Sequence, residues 1–388
     1  MLWGLTILSI AALYWIYDGY GRCLQLLGMI DRIGGFREKR RTDTPGGLLP
    51  TVTVLLTVHN EETVIGSRLE NILRCDYPPE LLSIVVASDG STDATNDIVR
   101  TMHDPRIRLH ASPGLGKTAT QNAAIRDIPS DIIAFTDAGT QFHTSFLRSL
   151  INPFRDPRVG AVDGQLTYRT QADDDVQTSQ GFYWNYELKL RRLESQLGIL
   201  AVVAGACFAV RRNLFVEMNP SIGEDCIVPL DVVAQGFRVI HEPSAHAFDA
   251  FESDSGVTLR RRVRMTLRNW QGTWTRSELL NPLRHPGYAF ALWSHKLLRW
   301  LSPVFLAGAS LGSVASLILH PGVLSAAAFA PFAVLFTLAA CGWLTSQSRG
   351  RIPGAGTAYS FVLANVGFLI GIWRAVTGHR VHSYRNTQ

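Results

Sequence analysis

The sequence predicts an α/β protein in which a doubly wound, mostly parallel sheet is carried between membrane-spanning helices. Three observations lead there. Short apolar, β-branched runs at 51–58, 82–87 and 132–135 each stop at a polar cluster, as strands buried on both faces of a parallel sheet do. Helical spacing of apolar residues fills the intervals, giving the alternation from which doubly wound sheets are built. Apolar runs at both ends have roughly the length of bilayer crossings, whereas the middle mixes polar and apolar residues.

Composition bounds the function classes. The 388 residues allow one large or two modest domains, and the 46% hydrophobic and 18% charged fractions average over two unlike parts. The formal charge of +5 gathers beside the apolar segments, where it attracts anionic lipid. Nucleic-acid binding would want basic residues interleaved with aromatics on the soluble part, and that pattern is not found there. The five cysteines are scattered without a Cys-x-x-Cys pair, which argues against a zinc site or disulfide framework and for a reducing compartment.

In chain order, residues 1–20 form the amino-terminal transmembrane helix, with Trp3, Tyr14, Trp15 and Tyr17 toward its ends. A basic linker, 21–49, carries Arg22, Arg32, Arg37, Lys39, Arg40 and Arg41. Charge that follows the span, with no small-residue cleavage site, reads as an anchor and not a signal peptide, and places that side in the cytoplasm. The domain at 50–257 opens with the strand 51–58, closing on His59-Asn60-Glu61-Glu62, and a helix 64–73 stopped by Pro78-Pro79. The strand 82–87 leads into Ser88-Asp89-Gly90-Ser91-Thr92-Asp93 and a helix 94–102. Gly114-Leu115-Gly116-Lys117 precedes a further helix through Ile125; lysine beside glycines at a helix start can meet a diphosphate or simply be solvated.

The strand 132–135 ends at Thr136-Asp137-Ala138-Gly139. An acidic residue at the carboxyl end of a parallel strand is placed to hold a divalent cation and through it a phosphate. A helix 144–150, a short strand 159–162, a polar stretch 167–180 read as a solvated loop with Asp173-Asp174-Asp175, and a helix 182–196 follow. The small apolar run 204–211 suits a close backbone approach or tight packing alike. Gly223-Glu224-Asp225 opens a helix 226–235 that Gly236 ends, and 238–241 is the last strand. Residues 258–300 read as amphipathic interface helices, the first rich in arginine with Trp270 and Trp274 between. A carboxy-terminal transmembrane region, 301–376, holds apolar runs at 301–319, 323–344 and 359–373, the last short for a crossing, before a basic tail at 377–388.

Taken together, Val54 to Glu62, Ser88 to Asp93, Gly116-Lys117, Thr136 to Gly139 and Gly223-Glu224-Asp225 resemble, in order and spacing, the membrane-bound family 2 glycosyltransferases, the inverting group that includes cellulose, chitin, hyaluronan and poly-N-acetylglucosamine synthases. The resemblance covers residues 50–274. It implies a nucleotide-sugar-binding fold of the GT-A type at the cytoplasmic face of the cell membrane, in a multi-pass protein. It further implies hexosyl or N-acetylhexosaminyl transfer from a UDP-sugar to a saccharide or lipid-linked acceptor, giving a β-glycosidic bond in polysaccharide or glycolipid synthesis. By the same resemblance Glu61 and Asp89 sit on the uridine with Lys117 nearby, Asp137 ligates Mg2+ or Mn2+, Asp225 is the general base, Glu224 supports it, and Arg268 pairs with the diphosphate.

Two departures shape the expectation. Gly139 stands where the family's Asp-x-Asp has its second carboxylate, so one carboxylate plus phosphates and water must hold the ion. Where processive members carry Gln-x-x-Arg-Trp, this chain has Met265-Thr266-Leu267-Arg268-Asn269; only Arg268 is kept, and Trp270, the candidate acceptor contact, is one place further on. Three alternatives follow: a processive or short-chain enzyme, with room for an accessory membrane or export subunit; a single-transfer lipid glycosyltransferase; and an inactive membrane protein that binds a sugar nucleotide.

Overall fold

The computed structural model describes residues 2–34, 48–169, 175–250, 255–345 and 352–379. Helix α1 (Leu2–Tyr14) continues through a π-helical turn (Trp15–Gly19) into α2 (Tyr20–Gly34). The catalytic-size domain then alternates: β1 (Val52–Val58), α3 (Ile65–Leu73), β2 (Leu82–Asp89), α4 (Thr95–Thr101), β3 (Ile107–Ser112), α5 (Lys117–Arg126), β4 (Ile132–Asp137). Next come β5 (Gln141–Phe142), α6 (Phe146–Ile151), β6 (Val159–Arg169), α7 (Asp175–Leu197), β7 (Phe208–Arg211), α8 (Glu224–Ala234) and β8 (Arg238–Ala250). Beyond it lie α9 (Ser255–Thr275), α10 (Pro286–Ala291), α11 (Leu298–Trp300), α12 (Ser302–Leu319), α13 (Val323–Thr345) and α14 (Ala355–Val376).

Eight strands form one sheet in the order β3-β2-β1-β4-β7-β6-β8-β5. β3, β2, β1 and β4 are parallel; β7 then runs antiparallel to both β4 and β6, and β5 antiparallel to β8. Both faces of the central strands are covered, which is why β1 is buried at every position. Val52, Val54 and Leu56 pack into one core with Leu69 and Ile72 of α3 and Phe146 of α6. Leu55 points the other way, into a second core with Ile125 of α5 and Val228 and Val232 of α8.

The register lines up the strand ends. Thr57 pairs with Ala87 on one side and Asp137 on the other, so the polar clusters after β1, β2 and β4 emerge side by side at one edge. Arg68, fully buried on α3, supports that edge from below. It donates to Thr136 Oγ1 (2.7 Å) and to the Asp137 carbonyl (3.3 Å), with its guanidinium 4.1 Å from the centre of the Phe142 ring. Burial pulls its pKa down to about 9, still charged at neutral pH.

Several elements differ from the sequence reading. β3 alternates apolar and polar residues, as an edge strand does, and was not among the expected strands. β6 and β8 run to eleven and thirteen residues where short strands were expected, because past the sheet's centre they go on pairing with each other through a register shift at Gly164. Accordingly, the stretch read as a solvated loop is strand up to Arg169 and helix from Asp175 on; Asp173 and Asp174 lie outside the described residues. The small apolar run supplies β7, whose pairing with β4 turns the sheet from parallel to mixed.

Three helices, α12, α13 and α14, are long and apolar enough to cross a membrane, and α14 extends well beyond the short run read from the sequence. Their outward faces expose Leu311, Ile318, Leu324, Trp343, Leu369 and Trp373. α1 lies along α12, where Gly308 leaves room for Ser9. α9 is an amphipathic helix as expected, with Val263, Thr266 and Leu267 buried against protein, chiefly α14 and α8. The tract 285–300 is not one interface helix but α10, a π-helical turn and α11, with Leu292, His295, Leu297 and Trp300 buried. The tail beyond 379, with Arg380 and Arg385, and the linker residues Arg37, Lys39, Arg40 and Arg41 lie outside the described residues.

Replacing Arg68 with Ala removes its hydrogen bonds to Thr136, the Asp137 carbonyl and Asn71 and leaves a cavity below Asp137. It should cost about 3 kcal/mol, read as a drop of several degrees in the thermal unfolding midpoint of the detergent-purified protein. An unchanged midpoint would mean that the edge does not rest on Arg68.

Candidate active site

The loops after β1 and β2 are tied to each other. Asn60, at φ 56°, accepts the Thr92 N–H (2.8 Å) and donates its own N–H to Ser91 Oγ (3.1 Å). The Glu62 N–H donates to Asp93 Oδ2 (3.1 Å) while Glu62 Oε2 accepts from the Ala94 N–H (2.9 Å). Gly90, at φ +67°, crosses so close to Gly114 that a Cβ there would lie 2.8 Å from the Gly114 backbone, so no larger residue fits. Asp89 is buried, and its Oδ1 accepts from the Gly116 N–H and Thr120 Oγ1, each 2.9 Å. Its Oδ2 accepts no hydrogen bond among the described residues.

Lys117 begins α5 and joins the two halves of the site. Its Nζ lies 2.7 Å from Asp137 Oδ1 at the end of β4 and 2.6 Å from Glu224 Oε1 at the start of α8. Glu224 is buried; burial alone would raise its pKa, but Lys117, Arg268 and the Lys117 hydrogen bond together hold it below the ordinary carboxylate value. Asp225, next along the helix, goes the other way, raised by burial and then by the charge of Glu224. Two adjacent carboxylates are thereby pushed apart, one held as an anion and one made the stronger base. Gly205 and Gly223 make room for them: a Cβ at Gly223 would stand 2.5 Å from Asp225 Oδ1.

Arg268, from α9, closes the group. Its Nη2 donates to Thr118 Oγ1 (2.8 Å) and the Ile222 carbonyl (2.9 Å), and its buried Nε has no hydrogen-bond partner among the described residues. Glu61 has its pKa raised by burial first and then by the charge of Asp137, so it lies on the same side of the site. Glu61, Asp89, Lys117, Asp137, Glu224, Asp225 and Arg268 thus come to one edge of the sheet, and the chain Asp137–Lys117–Glu224 links Asp137 to the residue beside Asp225. Trp270 does not join them. It leans on Trp274 and Trp300, with ring centres 6.0 and 6.1 Å away, inside the packing of α9.

One residue had no signal in the sequence. Because β5 pairs with β8 through Gln141 and Phe248, Asp249 arrives beside Thr140 and Gly139. It accepts from Thr140 Oγ1 (3.3 Å), and its Oδ1 lies 3.4 Å from where a Cβ on Gly139 would stand. Its pKa is raised, by burial first and with a contribution from the negative charge of Asp137. The missing side chain of Gly139 therefore leaves a cradle with a carboxylate from β8 at its rim. Among the described residues no group of three or more His, Cys, Asp or Glu side chains could hold a metal. Two carboxylates in a polar setting nevertheless fit a hard cation that takes its other oxygens from a phosphate-bearing ligand and water.

Residues 53–218 match glycosyl transferase family 2. That match runs from β1 to beyond β7. The chain is 28% identical over 294 residues to an N-acetylglucosaminyltransferase of Sinorhizobium fredii, a match covering 71% of this chain and 70% of that one. It is 28% identical over 253 residues to an N-acetylglucosaminyltransferase of Rhizobium meliloti (61% and 59%) and 26% over 232 residues to a probable glycosyltransferase, YdaM, of Bacillus subtilis (56% and 54%). The latter two matches span less than two thirds of those relatives. In fold, the chain superposes with TM-score 0.70 on a mannosyltransferase of Pyrobaculum calidifontis solved with GDP-Man and Mn2+, at 20% identity, over 96% of this chain and 99% of the other.

Lys117→Met should leave Glu224 a buried, unpaired carboxylate and cost about 3 kcal/mol at neutral pH, much of it recovered in the double variant with Glu224→Gln. Glu224 has a depressed folded pKa, so its pairing contributes stability above the unfolded value that is lost as pH falls through the folded one. Thermal unfolding of the four proteins against pH checks this; purely additive losses would show that the pair is not coupled.

Proposed function

We propose that the protein transfers a hexosyl or N-acetylhexosaminyl group from a UDP-sugar to an acceptor hydroxyl with inversion at the anomeric carbon. The observation that carries this reading is the Lys117 bridge between Asp137 and Glu224, because it ties the diphosphate side of the site to the base beside Glu224. The N-acetylglucosaminyltransferase relatives support an N-acetylhexosamine donor. The basic run after the amino-terminal helix supports a cytoplasmic catalytic domain.

In this reading Asp89 and Glu61 hold the nucleoside, and Lys117 and Arg268 lie against the diphosphate, where their charge offsets the negative charge that grows as it leaves. Asp137 and Asp249 would hold the divalent cation, which when bound supplies Lewis-acid stabilisation of that leaving group. The acceptor oxygen bonds to the anomeric carbon as the bond from that carbon to the phosphate oxygen breaks, and the hydroxyl proton goes to Asp225. Attack from the face opposite the leaving group turns an α-linked donor into a β-linked product. Burial suits Asp225 to this task by raising its basicity.

Asp225→Asn should lower turnover by about 10²- to 10⁴-fold with donor affinity intact, measured as nucleoside diphosphate release and by calorimetric donor binding. A deprotonated Asp225 is required, and its pKa is raised. The parent's rate should therefore fall on the acid side at a pH above about 3.9, where an ordinary aspartate titrates, and that limb should vanish in the variant. Undiminished turnover would remove Asp225 as the base. Mn2+ binding, followed by electron paramagnetic resonance in the presence of UDP, should weaken in Asp137→Ala and, by about tenfold, in Asp249→Asn. Equal Mn2+ affinity in parent and Asp249→Asn would leave Asp137 as the sole carboxylate.

A further inference from the structure

α9 and α14 run side by side in the same direction. Gly367 lies against Leu259 and Arg262, Gly371 against Val263 and Thr266, and the carbonyl of His379, just past α14, accepts from Gln271 Nε2 (2.8 Å). The approach is close: a Cβ at Gly367 would stand 2.6 Å from Arg262 Cγ, and one at Gly371 2.7 Å from Thr266 Cβ. α9 in turn is held to the catalytic domain at both ends. Only four residues separate Ser255 from Ala250, the end of β8; at the other end Gly272 lies against Ile222 and Cys226, and Arg276 Nε donates to Asp231 Oδ1 of α8 (2.6 Å). α14 therefore lies along the domain and finishes beside it.

Its start is on the same side. α1 runs beside α12 in the opposite direction: Tyr17 OH donates to Ser302 Oγ (3.0 Å), Ser9 meets Gly308 and Thr6 meets Gly312. α12 and α13 pack together and are joined by three residues, 320–322, a connection that makes antiparallel neighbours. α12 thus leaves the domain at Ser302 and α13 returns to it, where Gly342 lies against Ala355 and Tyr359 of α14. Asn365, midway along α14, accepts from Ser302 Oγ (2.6 Å), so α14 passes the point where α12 begins.

We propose that α14 does not cross the bilayer but lies along it on the side of the catalytic domain, with the lipid of that leaflet as its partner. Val366, Leu369, Trp373 and Val376 are exposed at a spacing that makes one apolar face, and this face meets the acyl chains. The other side packs on α9, and its Phe361 and Phe368 line a cavity of about 440 Å3 that Asp225 also borders. A crossing α14 would carry α9 with it and put the exposed Arg260 and Arg261 into hydrocarbon. Basic residues agree: Arg349 and Arg351 before α14, and Arg374, Arg380 and Arg385 at and after its end, all fall on the domain's side, while His320-Pro321-Gly322 on the far side has no lysine or arginine. The crossing helices are then α1, α12 and α13, and this holds whether or not the protein transfers a sugar.

The test reads the side of each segment in the full chain. A protease site is inserted singly after Asp127 in the catalytic domain, after Pro321, after Gly350 or after Gln388, and protease is added to sealed right-side-out and inverted membrane vesicles. The sites at 127, 350 and 388 should be cut in the same vesicle orientation and the site at 321 only in the other. A site at 388 cut from the side opposite to 127 overturns the proposal. Leu369→Arg should accumulate in membranes at the parent's level, since an arginine at the surface reaches head groups, whereas Leu311→Arg, midway along α12, should fall by about tenfold or more. Equal loss of the two variants would put Leu369 at the centre of the bilayer and overturn it as well.

Discussion

The site depends on one cation shared by two carboxylates. Lys117 reaches Asp137 from β4 and Glu224 from α8, elements that meet only because the sheet changes direction between β4 and β7. A buried glutamate is costly without a partner, so the lysine fixes the entry of α8 and with it the position of Asp225. In the proposed reading the same charge lies against the diphosphate, so a group that stabilises the fold also serves the chemistry proposed for it.

Around that bridge the sheet supplies geometry and the loops supply chemistry. Parallel pairing sets Thr57 level with Ala87 and Asp137, and the side-by-side strand ends follow from that register. The switch to antiparallel pairing frees β6 and β8 to run past the sheet's centre, and their long pairing delivers Asp249 to the far side of Gly139. The side chain absent at Gly139, in the turn after β4, thus leaves room beside a carboxylate from β8. On the opposite side, α9 and α14 bring a charged and apolar cavity up to Asp225, so this residue has Glu224 and its Lys117 bridge on one flank and α14 on the other.

The central part of this fold was legible because it is local. Runs such as Ile132 to Phe135 are buried on both faces and carry their strand signal without help from distant residues, and each polar cluster follows its strand directly in the chain. The lengths of β6 and β8 were not legible, since their outer halves are strand by pairing with each other and, for β8, with β5, and their polar residues read as loop or turn in isolation. β3 and β7 were missed for related reasons: one is a half-exposed edge, and the other is so rich in small residues that packing and strand look alike.

The sequence by itself determined the α/β alternation and the apolar helices at both ends, because these rest on residue type and near-neighbour spacing; the seven polar residues that meet at one sheet edge were named from it through the resemblance of their motifs to a known family. Only the tertiary structure decided that Lys117 bridges two carboxylates, that Asp249 stands beside Gly139, that Trp270 packs among other tryptophans, and that Asp225 borders a cavity beside α14. Those are relations between residues far apart in the chain, set by strand pairing and helix packing, and no local pattern encodes them.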